Sequence, residues 1–441
     1  MKKTALPLLL SLAALLLCLS CRGQQTHNSG DSSLSFRPSE ARGELSAPAV
    51  KPGIEVLCDR HFAGLEGKRV GLLTNPSGVD RNLKSTVDIL FEAPEVNLVA
   101  LFAPEHGVRG DVYAGGKVES GRDDSTGLPV HSVYGATRKP TPDMLQGLDI
   151  VVYDIQDVGT RSYTFISSLG LMMSACGELG IEVMVLDRPN PLGGLKIEGS
   201  LVEPGFYSFV SQYPIPYVYG LTVGEIATMI NEEGMNRGQK HTDPFVKCKL
   251  TVIPMEGWTR DMRFADTGLP WILPSPNIPY PQTAIDYPCS GLVGECPNFL
   301  NIGIGYSLPF ELFAAEWIDA DALKARLDSY DLPGVAFRTI HYTPFSGSMR
   351  GKLIHGVQFY FTDYEAATIT LTQFWVMQAI HELYPDQDPF AAGTYDMFDK
   401  CAGSDYIRTT FRRRYKVADI LPFWTKDIPD FRALSAHYHL Y

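Results

Sequence analysis

The chain lacks the cysteine and histidine patterns that bind structural zinc. Its 441 residues include eight cysteines, but no Cys-x-x-Cys pair is accompanied by a second pair or by a spaced His-x-x-x-His. His106 is not followed by another histidine at metal-ligand spacing. Because a structural zinc site needs four such ligands, the sequence argues against one, and no metal is expected.

Two common enzyme motifs are also missing. No Gly-x-Ser-x-Gly elbow is present, which disfavours an α/β-hydrolase esterase. Gly303 and Gly305 resemble part of a dinucleotide fingerprint, but the third glycine and a suitable preceding strand are lacking. Binding of NAD is therefore disfavoured, and no cofactor is expected.

Positive charge is scarce relative to negative charge. There are 38 Lys and Arg residues against 50 Asp and Glu residues, a formal net charge of -12, and removal of Lys2 and Lys3 with a leader would make it -14. This balance argues against a nucleic-acid partner. An anionic glycan would have to be bound by local arginines.

Apart from the N-terminus, the sequence has no long apolar run. Residues 5–19 are apolar but fall short of the roughly 20 residues of a membrane helix. With Lys2 and Lys3 before the run and Cys21 after it, residues 1–21 are predicted to be an export signal in which Cys21 is lipidated. Residues 22–50 are predicted to be a flexible tether. The protein is thus expected to be lipid-anchored in a bacterial cell envelope, at the periplasm or the outer membrane, with ordinary secretion as the alternative.

The first half of the remaining chain repeats one pattern. Short apolar runs at residues 70–73, 98–102, 150–153 and 183–186 each end in a polar cluster, and helix-like segments at 83–92 and 162–179 lie between runs. Such runs are typical of strands buried on both faces of a parallel sheet. The alternation predicts a doubly wound α/β domain over residues 51–240, with the polar clusters at the carboxyl edge where ligands bind.

The second half gives a different pattern. Thr222 and Glu225 form a capping box that predicts a helix to Gly234, and residues 271–309 are rich in turn residues. Beyond them, strands are predicted at residues 337–342 and 357–361, and a helix at 367–383. Residues 245–441 are accordingly predicted to form a second, α+β domain. Whether Cys289 and Cys296 form a disulfide is left open.

The sharpest polar cluster contains Glu105, His106 and Arg109, directly after a predicted strand. A carboxyl, an imidazole and a guanidinium there can supply an acid, a hydrogen-bonding partner and an anion clamp. Singly, such residues more often cap loops or form surface ion pairs, but convergence of several groups on one sheet edge favours a site. The two further groups in corresponding positions are Asp154, Asp157 and Arg161, and Asp187, Arg188 and Asn190.

At these clusters the sequence resembles the NamZ-type exo-β-N-acetylmuramidases, from about residue 54 to the C-terminus. The segments that carry the resemblance are GLLTNPSG (71–78), FAPEHGVRG (102–110), VYDIQDVGTR (152–161), LDRPNPLGG (186–194), PYVYGLTVGE (216–225) and WILPSPN (271–277). The resemblance implies a Rossmann-like N-terminal domain with the active-site cleft and a C-terminal auxiliary domain. It also implies release of terminal N-acetylmuramic acid from non-reducing ends of peptidoglycan fragments, with the Glu-His pair of the family at Glu105 and His106.

Glycoside cleavage generally uses two acidic groups, and Glu105 is the candidate for the proton donor. Glu295, Asp154 and Asp157 remain open as its partner, and an acetamido sugar that attacks internally is a further alternative. The candidate substrate ligands are Asn75, Arg109, Asp154, Asp157, Arg161, Asp187, Arg188, Asn190 and Asn277.

The sequence departs from the family at Ile304, where related proteins carry an arginine between glycines. Loss of that cation raises the question of how the lactyl carboxylate of muramic acid is bound. Arg109 is the first choice for this role, and the alternative is that it pairs with Asp111 or a neighbouring carboxylate. Two other functions stay open: a lipoprotein that binds amino-sugar fragments without cleaving them, and an exo-glycosidase for another 2-acetamido sugar. The sequence leaves the oligomeric state undetermined.

Overall fold

The computed structural model describes residues 50–441, except 111, 114, 237–241, 392 and 394. The predicted signal with Cys21 and residues 22–49 of the predicted tether lie outside the described residues, whereas Val50, the last residue of the tether, is buried. Within the described part, no helix combines the length and the apolar character needed to cross a bilayer.

A seven-stranded sheet forms the centre of the first domain. Six strands are parallel, and the short edge strand β3 is antiparallel to β4. The strands are β1 (Arg69–Thr74), β2 (Asn97–Ala103), β3 (Gly121–Arg122), β4 (Pro129–Ser132), β5 (Ile150–Asp154), β6 (Glu182–Leu186) and β7 (Leu250–Ile253). Their order across the sheet is β3-β4-β2-β1-β5-β6-β7. From β1 the strand order runs to one side through β2 and β4 and to the other side through β5, β6 and β7. A crevice for ligands is expected at the carboxyl edge between β1 and β5, where the order reverses.

Helices cover both faces of this sheet. On β5, Ile150 and Val152 pack on one face, while Val151 and Tyr153 pack on the other, as the two-residue period of a strand requires. The first face is covered by α1 (Gly53–Asp59) and α2 (Thr86–Glu92), and the second by α3 (Pro142–Leu145), α4 (Phe165–Leu179) and α5 (Val223–Glu232). The predicted doubly wound α/β architecture is confirmed.

Local sequence signals fix the ends of two of these helices. Gly180 has φ +70° and ends α4 with a left-handed residue, which glycine adopts without steric cost. Thr222 accepts a hydrogen bond from the Glu225 amide, and the Glu225 carboxylate accepts one from the Thr222 amide. The predicted capping box is therefore present at the start of α5.

The second domain packs helices on a small antiparallel sheet with strand order β8-β10-β9. Its strands are β8 (Leu312–Ala315), β9 (Val335–Tyr342) and β10 (Ile354–Phe361). Its helices are α6 (Pro281–Gly294), α7 (Ala320–Asp328), α8 (Thr372–Leu383), α9 (Asp396–Ala402), α10 (Tyr406–Phe411), α11 (Val417–Thr425) and α12 (Ile428–Ser435). Short 3-10 turns lie at Phe264–Thr267, Ile369–Leu371 and Ala436–Tyr438. The second α+β domain is confirmed.

Two sequence expectations change. The turn-rich region contains the 14-residue helix α6, which includes Pro288. Burial of Cys289, Leu292 and Val293 in the second core outweighs the hydrogen bond that proline cannot make. Strand β7 pairs with β6, so the first sheet extends past residue 245, where the second domain was predicted to begin. Cys289 and Cys296, whose pairing the sequence left open, are buried free thiols.

Candidate active site

A cleft of about 490 Å³ lies between the carboxyl edge of the first sheet and helices α6 and α9 of the second domain. The loops after β2, β4 and β5 form one wall, and the second domain forms the other. The lining residues are Glu105, His106, Tyr134, Arg138, Ser162, Tyr163, Thr164, Ser208, Phe209, Val210, Ser275, Asn277, Tyr287, Glu295, Phe310, Met397 and Lys400. The predicted residues Glu105, His106, Glu295 and Asn277 therefore meet in one place.

Glu105 is half-buried and accepts three hydrogen bonds. Its Oε1 accepts from the Tyr134 hydroxyl at 2.8 Å and from the Gly115 amide at 3.1 Å, and its Oε2 accepts from the Thr164 hydroxyl at 3.3 Å. Three donors suit an ionised carboxylate, which only accepts hydrogen bonds. Burial and, to a smaller extent, the nearby carboxylate raise the pKa of Tyr134, so this hydroxyl keeps the proton that it donates.

His106 follows Glu105 in a strained turn. It has φ +75°, and Gly107 follows with φ +80°. Left-handed backbone is unfavourable for a residue with a Cβ atom, and such strain clusters at functional sites. Its Nδ1 lies 3.1 Å from the Val112 carbonyl oxygen and must donate there, which leaves Nε2 as an acceptor. Burial lowers the pKa of His106, although Glu105 opposes this effect. Burial thus favours the neutral form of the ring.

Glu295 lies at the C-terminal cap of α6, in the other wall of the cleft. Burial raises the pKa of its carboxyl above the usual range, and no hydrogen bond or ion pair to this carboxyl is found among the described residues. A carboxyl in such surroundings holds its proton to higher pH than one in water. The cleft thus contains two carboxyl groups in contrasting environments.

Aromatic rings line the space between these carboxyl groups. The ring of Tyr287 makes edge contacts with Tyr163 at 5.4 Å and with Phe310 at 4.9 Å. The hydroxyls of Tyr287 and Ser162 are 2.9 Å apart. Such rings provide flat apolar surfaces, and the fixed hydroxyls orient polar groups of a ligand.

Except for the exposed Arg109, the other predicted residues are buried outside the cleft. Asp154 is fully buried, and its Oδ2 accepts from Arg188 Nη2 at 2.8 Å and also from the Thr86 hydroxyl. Arg188 Nη2 also donates to the Val79 carbonyl at 2.8 Å. This pair joins β5 to the loop after β6. The structure thus gives Asp154 and Arg188 a role in holding loops rather than in lining the cleft.

Asp187, Asn190 and Asn75 also hold loops. Asp187 accepts from the Thr222 hydroxyl and the Gly224 amide, both at 2.7 Å, and burial raises its pKa to about 6. Asn190 Nδ2 donates to the Leu221 carbonyl at 2.9 Å. Asn75 Nδ2 donates to the Pro274 carbonyl at 3.1 Å and so supports the loop that carries Asn277.

Asp157 and Arg161 are buried and also lie outside the cleft lining. Asp157 accepts from the Tyr219 hydroxyl and from the Gly159 amide, and burial raises its pKa to about 6. Arg161 is 1% exposed and donates to four backbone carbonyls. Two of these, on Cys401 and Ala402, end helix α9 of the second domain. Arg161 is therefore a clamp between the domains.

Arg109 forms ion pairs with acidic side chains. Its Nε and Nη2 donate to the two carboxylate oxygens of Asp123 at 2.8 and 3.0 Å, and Nη2 lies 3.4 Å from Asp88. The pKa of Asp123 is lowered to about 2, mainly by Arg109. Arg109 lines a separate cavity of about 630 Å³ beside β4, not the cleft. The alternative of pairing with a neighbouring carboxylate is the one seen, and the expectation that Arg109 faces the sugar is corrected.

Several cleft residues were not anticipated from the sequence. Tyr134 and Arg138 follow β4, Ser208 to Val210 come from a loop with no regular structure, and Lys400 lies on α9. None of them directly follows a strand that was predicted, so no local signal marked them. Ile304 packs against the second core and is absent from the cleft lining among the described residues. Among the described residues, no group of three or more His, Cys, Asp or Glu side chains is placed to hold a metal ion.

A doubly wound domain facing a second domain across a cleft with two carboxyl groups has the kind of site that glycoside hydrolases use. Profiles described as "Exo-beta-N-acetylmuramidase NamZ, N-terminal" and "Exo-beta-N-acetylmuramidase NamZ, C-terminal" match residues 70–282 and 285–441. The chain belongs to this family, as the resemblance predicted.

Known relatives support this assignment. The "Peptidoglycan beta-N-acetylmuramidase NamZ" of Bacillus subtilis (strain 168) is 44% identical over 407 residues, covering 92% of this chain and 95% of the relative. A crystal structure of a DUF1343 family protein from Bacteroides fragilis NCTC 9343 matches with a TM-score of 0.84 and 50% identity, over 90% of this chain and all of that chain. A second such protein from the same organism has a TM-score of 0.71 and 29% identity, over 89% of this chain and 99% of the other.

Proposed function

We propose that this protein is an exo-acting glycoside hydrolase that releases terminal N-acetylmuramic acid from the non-reducing ends of peptidoglycan fragments. The observation that carries the proposal is the placement of Glu105 and Glu295 in one cleft lined by aromatic rings and fixed hydroxyls. Similarity over nearly the whole length of a peptidoglycan β-N-acetylmuramidase supports the same activity and substrate.

The contrasting surroundings support different roles for the two carboxyl groups. Of the three partners left open for Glu105, only Glu295 lines the cleft. Its raised pKa suits a proton donor to the leaving oxygen. Glu105, held by three donors, suits an ionised group that stabilises positive charge at the sugar, attacks it, or orients the acetamide. This reverses the expectation from the sequence, in which Glu105 was the proton donor.

Substrates that differ in their leaving group test this assignment. A nitrophenyl glycoside of N-acetylmuramic acid has a leaving group that needs no protonation, whereas the natural disaccharide needs it. Glu295→Gln should lose about 10²- to 10⁴-fold in kcat on the disaccharide and much less on the nitrophenyl glycoside, while Glu105→Gln should lose activity on both. The opposite pattern would return the donor role to Glu105. Full activity of both variants, or sugar binding without turnover by the wild type, would refute the enzymatic proposal.

We further propose that the protein is exported and anchored to the cell envelope by a lipid on Cys21. The support is the sequence of residues 1–21, a basic start and a short apolar run before a cysteine. Cells that express the wild type and are fed a fatty-acid probe should label the protein, and cells that express Cys21→Ser should not. Cys58→Ser, a change within the folded domain, is the matched control and should label normally. Equal labelling of the wild type and Cys21→Ser would refute the lipid anchor at Cys21.

A further inference from the structure

The cleft has two cationic side chains, Arg138 and Lys400, and neither has an acidic partner among the residues that the structure describes. Arg138 is half-buried, and its Nε is buried with no hydrogen-bond partner there. A guanidinium removed from water usually has an ion pair or several acceptors, because leaving its donors unsatisfied costs free energy. Arg109, Arg161 and Arg188, the arginines that the sequence suggested, all donate to protein acceptors and lie outside the cleft lining.

The guanidinium of Arg138 packs against an aromatic ring in the cleft that contains Glu105. Its Cζ lies 4.4 Å from the centroid of the Phe209 ring, so the cation rests on an aromatic face. The Phe209 ring is 6.4 Å from that of Tyr134, whose hydroxyl donates to Glu105 at 2.8 Å. Arg138 and Glu105 are thus joined by two rings in the same wall. This contact restrains the guanidinium, and its N–H donors, which have no protein acceptor among the described residues, are available to a ligand.

We propose that Arg138 binds the lactyl carboxylate of the terminal N-acetylmuramic acid and makes the site selective for this sugar over N-acetylglucosamine. The inference rests on the proposed function, because that function supplies the sugar. Muramic acid differs from glucosamine by a lactyl ether whose carboxylate is ionised at neutral pH. A planar fork of donors is suited to two parallel hydrogen bonds with a carboxylate. Arg138 thereby takes the role for which the sequence suggested Arg109.

Lys400 is the competing cation. It lies on α9 in the second domain and is exposed, whereas Arg138 is half-buried against an aromatic ring. An exposed ammonium is strongly hydrated and acts as a point charge, so it discriminates less between a carboxylate and a neutral group. Arg138 is therefore expected to dominate the selectivity.

The test compares Arg138→Gln with the wild type on matched substrates. The substrates are nitrophenyl glycosides of N-acetylmuramic acid, of its neutral lactyl methyl amide and of N-acetylglucosamine. Arg138→Gln should lower kcat/KM about ten- to one-hundred-fold on the acid and about two-fold or less on the two neutral sugars. Lys139→Gln is the matched control, since Lys139 pairs with Glu178 at 2.6 Å outside the cleft lining and should leave all three rates unchanged.

Binding to the Glu105→Gln protein gives a second readout that does not need turnover. Calorimetry should show that Arg138→Gln in this background weakens binding of free N-acetylmuramic acid and leaves that of N-acetylglucosamine unchanged. The role of Arg138 would be refuted if Arg138→Gln weakened binding of charged and neutral sugars equally, or weakened neither. It would also be refuted if the selectivity disappeared in Lys400→Gln instead. A wild type that fails to cleave the muramic acid glycoside contradicts the proposed function, and the calorimetry then still decides whether Arg138 recognises the carboxylate.

Discussion

The clamp made by Arg161 gives a prediction that separates a structural role from a substrate-binding one. The perturbation is Arg161→Lys, which keeps the charge but removes the fork. Arg161 donates five hydrogen bonds, to the carbonyls of Ser200, Ile215, Cys401 and Ala402 and to the Ser211 hydroxyl. An ammonium has three donors, so at least two of these acceptors lose their partner.

The magnitude follows from the burial of the site. Each buried acceptor left unsatisfied costs about 1–3 kcal/mol, so the loss of two should lower the free energy of unfolding by about 2–6 kcal/mol. Burial already lowers the pKa of Arg161 to about 10, and a lysine there would be depressed further and would hold its proton less firmly. The unsatisfied acceptors and the lowered pKa of the lysine both destabilise the folded protein.

The assay is urea unfolding followed by circular dichroism, combined with kcat/KM on charged and neutral sugars. Arg414→Lys is the control, since Arg414 is 69% exposed and pairs with Asp419 at the surface, where ion pairs contribute little. Because Arg161 holds the end of α9, on which Lys400 lies, activity on both sugars should fall in equal proportion. Unchanged stability together with a selective rise in KM for the muramic acid substrate would refute the clamp and restore the role predicted from the sequence.

Three further predictions follow from the buried carboxyls and the loop contacts. The pKa of Asp157 is raised to about 6 in the folded state, so its contribution to stability is complete below about pH 4 and is lost as the pH rises through about 6. In urea titrations at several pH values, Asp157→Asn should reduce the fall in unfolding free energy between pH 4 and 6 by up to about 3 kcal/mol. An unchanged pH profile would contradict this prediction. Tyr134→Phe removes a 2.8 Å hydrogen bond to the Glu105 carboxylate and should lower kcat about ten-fold with an unchanged melting temperature, whereas full activity would show that this bond is dispensable. Arg109→Lys breaks the fork on Asp123, and steady-state kinetics should show equal small losses on charged and neutral sugars; a loss confined to the charged sugar would mean that Arg109 binds the carboxylate after all.

Much of the fold was predictable because its signals are local. Apolar runs of four or five residues predicted the central strands β1, β2, β5 and β6, since a strand buried on both faces needs no polar position. Gly180 and the pair Thr222 and Glu225 marked helix ends, because the atoms that cap a helix lie within four residues of each other. Helix α6 was missed, since its Pro288 is tolerated only by packing against residues far along the chain.

The site divides in the same way. Sequence alone determined that the chain has a doubly wound domain, that it belongs with the NamZ-type muramidases, and that Glu105 and His106 follow a buried strand. Only the tertiary structure decided which polar groups face the cleft. Arg161 donates to a carbonyl 240 residues away, and Arg109 pairs with a carboxylate 14 residues away. Arg138 has no acidic partner among the described residues. A charged side chain becomes a ligand-binding group or a structural one according to the partners that folding places beside it, and those partners are set by long-range packing that no short segment contains.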